Sequence, residues 1–133
     1  MTVSSTTVKQ SYSGNGSTTA FTYSFKINTI NELKVIIRSS TGTETAKTIS
    51  THYNVSDSGS GGTVTFTSGN VPASGETVVL LRNTNLTQTT DYVENDPFPA
   101  ESHEGALDKL TLQIQEVQEE VDRSIKLSQT NTM

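Results

Sequence analysis

Ala20-Phe21-Thr22-Tyr23-Ser24-Phe25 is the stretch that decides the fold. Phe21, Tyr23 and Phe25 alternate with small or polar residues, and successive side chains on a strand point to opposite faces. The stretch therefore reads as a half-buried strand with one aromatic face. Aromatic rings at such positions face a core, so most of the three are expected to be buried.

Working outward, the segments on both sides carry the same kind of signal. Residues 3–12 suggest a first strand weakly, because Thr and Ser dominate, and Ser13-Gly14-Asn15-Gly16-Ser17 is a turn. Leu33-Lys34-Val35-Ile36-Ile37-Arg38 places Leu33, Val35 and Ile37 on one face of a second clear strand. Residues 44–50 read as a polar, edge-like strand, and Tyr53-Asn54-Val55 as a short extended piece. Ser56 to Gly62 reads as a flexible loop and Thr63-Val64-Thr65-Phe66 as a short strand. Gly69 to Gly75, with Pro72, is another loop. Thr77-Val78-Val79-Leu80-Leu81-Arg82 is the most continuously apolar run, which places it centrally in a sheet. Strands separated by turn signals, with no helical period before residue 98, predict a small antiparallel β-sandwich or open barrel.

The character changes after residue 95. Phe98-Pro99-Ala100-Glu101 is a helix start, since proline is tolerated in the first turn and acids there suit the helix dipole. The helix is expected to run to about Leu127. Leu107, Leu110, Ile114, Val117 and Val121 recur at spacings of 3, 4, 3 and 4, an a/d heptad seam. The seam is narrow: Thr111, Gln113, Gln118 and Glu120 hold the flanking e and g positions. A helix packed along one globular domain shows a wider stripe. The expected architecture is thus mainly β with one long C-terminal α-helix: a head over residues 1–95, then a linker and coiled-coil helix over 96–133, with several chains bundling along the seam.

Charge and composition bound the function. Only 31% of the 133 residues are hydrophobic, and Cys and Trp are absent. Without cysteine there is neither a disulfide framework nor a thiolate metal site. Residues 1–90 carry six basic and four acidic side chains, whereas 91–133 carry three and ten. Phosphate binding needs a basic face, so no nucleic-acid partner is expected. No stretch approaches the roughly 20 apolar residues needed to span a bilayer, so no membrane partner is expected either.

No constellation points to catalysis, and the expectation is a protein that is not an enzyme and takes no cofactor or metal. His52 and His103 sit in different contexts, and zinc sites need three or four ligands. Glu101, Glu104 and Asp108 share one helix face and read as solvated or dipole-favourable charge. The Gly-rich stretch Ser56 to Gly62 lacks the Gly-Lys-Ser/Thr ending of a phosphate-binding loop. Asp57, Asp91 and Asp96 do not fit the spacing of a calcium loop. Tyr12, Tyr53 and Tyr92 lie near turns and, with Phe98, are the candidate docking residues, tyrosine being favoured at interfaces. A carbohydrate-binding β-sandwich is the alternative reading; it needs exposed aromatics such as Phe21 and Tyr23, and a helix packed on its own head.

An ordered set of pieces then carries a resemblance. It begins with Tyr12-Ser13-Gly14-Asn15-Gly16-Ser17, Phe21-Thr22-Tyr23-Ser24-Phe25, His52-Tyr53-Asn54-Val55 and Gly62-Thr63-Val64-Thr65-Phe66. Val78-Val79-Leu80-Leu81-Arg82-Asn83-Thr84, Gln88-Thr89-Thr90-Asp91-Tyr92 and Phe98-Pro99-Ala100-Glu101-Ser102-His103-Glu104 follow. Leu107-Asp108-Lys109-Leu110 and Arg123-Ser124-Ile125-Lys126-Leu127 close it. Over about residues 8 to 127 the chain resembles the virion-anchoring N-terminal domain of tail fibre proteins of T7-like podoviruses. The resemblance implies a homotrimer assembled in the host cytoplasm and carried in the virion. Its heads would dock where the portal-proximal adaptor meets the tail nozzle, and its helices would lead toward a fibre shaft in support of host attachment. Fuller members continue into a distal shaft and receptor-binding tip. A chain ending at Met133 fits either a fragment of such a fibre or a short adaptor that receives a distal receptor-binding protein.

Overall fold

The computed structural model describes residues 3–95, 97 and 99–131. Among the described residues seven strands precede one α-helix: β1 (Lys9–Ser13), β2 (Ala20–Tyr23), β3 (Leu33–Arg38), β4 (Glu44–Ala46), β5 (Tyr53–Asp57), β6 (Gly62–Phe66), β7 (Thr77–Arg82) and α1 (Ala100–Arg123). They form two open antiparallel sheets, one in the order β1-β7-β3-β4 and one in the order β2-β6-β5. The expected fold class, mainly β with one long C-terminal helix, is the observed one.

Period-2 patterning explains the core. On β7, Val78, Leu80 and Arg82 point inward while Thr77, Val79 and Leu81 are partly covered. Leu33, Val35 and Ile37 of β3 turn the same way, in register with β7 from Leu33 opposite Arg82 to Arg38 opposite Thr77. The other sheet contributes Phe21, Tyr23, Tyr53, Val64 and Phe66, so inward faces of both sheets meet in one core. Phe25, just beyond β2, is fully buried, and Phe21 meets Phe66 edge-on at 5.8 Å between ring centroids. Burying one such ring contributes about 2 kcal/mol, and aromatic pairing adds to it. The central placement of β7 follows from this two-sided cover.

Three expectations are corrected in detail. The polar strand is only Glu44–Ala46, at the sheet edge beside β3; beyond it Ile49 turns to pack against the core and Ser50, at φ 69°, breaks the extended run. Ser56 to Gly62 is not a flexible loop. Ser56, Asp57 and Gly62 belong to the β5–β6 pairing, and only Ser58 to Gly61 turn, closed by the Ser58 N–H on the Gly61 carbonyl at 2.7 Å. Gly62 has a packing reason to be glycine. A Cβ there would stand 2.2 Å from the Ser56 carbonyl oxygen and 2.5 Å from the Tyr23 hydroxyl, which donates to Asp57 at 2.9 Å. The helix ends at Arg123 rather than near Leu127.

Candidate functional site

The end of β7 and the chain after it bring the helix onto the head. Arg82 ends the apolar run of β7 and is 2% exposed. Its guanidinium lies over the Phe25 ring, 5.9 Å from the centroid. One terminal nitrogen donates to the Lys26 carbonyl at 3.3 Å, and the other to Gln115 Oε1 at 2.8 Å and the Leu112 carbonyl at 3.4 Å. Its Nε faces Glu116 Oε1 at 3.4 Å, an ion-pair distance without hydrogen-bond alignment. Burial pulls the guanidinium pKa down, and the charges of Glu116 and Glu32 pull it back up. An arginine stays charged throughout, so its nearby carboxylate is what makes its burial tolerable.

A strap of residues 83–90 runs from β7 along the helix and is fastened at both sides. Glu116 Oε1 accepts from the Thr84 N–H at 2.8 Å and the Thr84 hydroxyl at 2.9 Å. Glu32 Oε1 accepts from the Asn85 N–H at 3.1 Å. Gln113 donates to the Asn85 carbonyl at 2.7 Å, and Lys109 donates to the Thr87 carbonyl. Further tethers are Lys26 to Asp108 at 2.8 Å, Gln115 to the Ser5 carbonyl at 2.9 Å, and Lys9 to Glu119 at 2.9 Å. Arg123 and then Lys9 hold the Glu119 carboxyl below its ordinary range.

Amid these polar contacts sits one apolar side chain, Leu112, fully buried. The sequence reading missed it. In the heptad that runs through the seam Leu112 occupies f, and a single apolar residue there makes no periodic signal. The signal that would have found it is charge: Asp108, Glu116 and Glu119 surround it on the same face. Asp108 is 7% exposed and paired, which corrects the reading of it as solvated charge.

The seam itself is left outside. Leu107, Leu110, Ile114, Val117 and Val121 are 51, 52, 69, 57 and 42% exposed. All five lie on the helix side away from Leu112. The helix therefore rests on its own head through a mostly polar face, and presents its continuous apolar line to solvent.

The other candidates separate. Tyr53 is 3% exposed and packs near Phe66, which takes it off any docking surface; its position opposite Phe66 on paired strands β5 and β6 forces it inward. Tyr12 is half-buried against Phe21, and its hydroxyl donates to the Thr22 carbonyl, so it pins β1 to β2. Tyr92 is 44% exposed, with its hydroxyl 3.4 Å from His103 Nδ1, and remains on the surface. Phe98 lies outside the described residues. Phe21 and Tyr23 are core residues, so the aromatic platform of a sugar-binding sandwich is absent at the positions expected to supply it.

A strand-rich head thus carries a helix whose heptad-spaced apolar line is uncovered. No family model matches the chain. Over 122 residues, 88% of its length, it is 38% identical to the tail spike protein of Salmonella phage epsilon15. It spans 11% of the length of that protein. This distant homology supports a phage tail structural protein and a virion component.

Proposed function

We propose that the chain is the virion-proximal anchor of a phage tail fibre or spike. Three copies bundle through the seam, and their heads attach the appendage to the tail at the junction of portal-proximal adaptor and nozzle. Host recognition is left to a distal part, and the module is not an enzyme. The observation that carries this reading is the uncovered line of Leu107, Leu110, Ile114, Val117 and Val121. Exposed apolar patches of this kind mark interaction surfaces. The heptad spacing selects other helices as the partner.

That the homologue is a tail spike protein supports the tail, and the resemblance to T7-like podovirus fibre domains supports three copies and an anchoring role. Each seam side chain is about half exposed, so covering it contributes about 1 kcal/mol. Association entropy opposes a seam this short, so the trimer is expected to depend on concentration. Imaging the chain in assembled particles is the test of the anchoring role. Density for three copies at the tail, with the strand-rich heads against tail proteins, is the expected result. Absence of the chain from purified particles would overturn it.

A further inference from the structure

We propose that each helix serves two surfaces at once. Three copies bundle through the seam while every head stays clamped to the far side of its own helix, so the heads ring the bundle instead of crowning one end. This rests on the trimeric reading above, and the occupant of the seam is a second copy of this chain.

The argument begins with position. The residues that touch the head or its strap are Asp108, Lys109, Leu112, Gln113, Gln115, Glu116 and Glu119. In the heptad of the seam all but Gln113, at g, are b, c and f positions, and f lies opposite the midpoint of a and d. Closing the seam therefore requires no undocking. Releasing the head would also uncover Leu112 and strip Arg82 of Gln115 and Glu116, leaving a helix with apolar surface on two sides.

Charge points to a sister chain as the occupant. Three acids of the helix are neutralised inward: Asp108 by Lys26, Glu116 by Arg82 and Glu119 by Lys9. Beside the seam stand Ala106, Thr111, Gln113 and Gln118, all uncharged, with Glu104 and Glu120 only at its two ends. Identical helices can approach along the uncharged middle of this line with little like-charge repulsion, and a strongly charged partner would find nothing there to match.

The absence of cysteine makes the test clean. Lys9→Cys with Glu119→Cys places two thiols across β1 and the helix on the side away from the seam, and a short bifunctional thiol reagent locks head to helix. Light scattering before and after bridging reads the mass. An unchanged trimer supports the proposal. A trimer that falls to monomer on bridging overturns it and leaves the trimeric reading standing. Monomer in both states overturns the trimeric reading and this inference with it. Small-angle scattering of the unmodified chain gives an independent check. Heads flanking a 24-residue helix give a compact particle, and heads released past its end lengthen the maximum dimension by about 36 Å. The longer particle would refute the clamped arrangement.

Discussion

The two faces of α1 follow opposite rules. The face on the head holds one apolar side chain, Leu112, inside a set of ion pairs and hydrogen bonds. The face toward solvent holds five apolar side chains and no partner within the described chain. A helix stabilised only by its own domain would show the reverse, because burial of an apolar stripe is what normally holds a helix to its head. Polar contacts are directional and fix an orientation, whereas apolar contacts supply most of the association free energy. The inner face thus orients the helix, and on the proposed reading the outer face is kept for association.

Breaking the outer face should have the largest effect. Ile114→Asp puts a carboxylate into each copy of the seam, where burying it unpaired costs several kcal/mol. Native mass spectrometry should show loss of trimers, while the thermal transition of the head stays within about 0.5 kcal/mol of the parent, because Ile114 touches no core. Breaking the inner face should do the converse. Arg82→Ala removes the cation from a buried pair and should cost about 3 kcal/mol in urea unfolding. Leu112→Ala should cost about 2 kcal/mol by leaving a cavity between helix and head, and the trimer should survive it.

Two pH effects sharpen the contrast further. Burial, then the hydrogen bond to Asp57 and its charge, push the Tyr23 hydroxyl well above the ordinary phenol range. The neutral form is the folded form, so this stability is complete below about pH 10 and drains away as pH rises through the elevated folded value. Denaturant midpoints should fall on the alkaline side, and less so in Tyr23→Phe. The Glu119 effect is the smallest and has the opposite sign. Its carboxyl titrates below the ordinary range, so its contribution is present above that range and is lost as pH falls through the lowered value. Acid titration should loosen the contact between Lys9 and the helix, with Glu119→Gln insensitive; side-chain NMR of Lys9 is the readout.

Much of the head was legible because alternation is a local signal. Phe21, Tyr23, Leu33, Val35 and Ile37 announce their strands without any knowledge of their partners, and all are buried. The continuous run of β7 announced its central place for the same reason. Strand pairing was not legible: β1 meets β7 across more than sixty residues, and nothing in Lys9–Ser13 encodes that partner. Tyr53 misled because nearness to a turn says little about direction, which its pairing with Phe66 fixes. The seam was readable as a heptad, but its clamp was not. Arg82 and Glu116 are separated in sequence and gain their meaning only when the helix comes back across the end of β7.

Sedimentation equilibrium of the unmodified chain over a wide concentration range tests the central claim most directly. The account predicts a mass rising from 14.3 kDa to three times that value as concentration increases. A chain that stays at 14.3 kDa at the highest attainable concentration would contradict it.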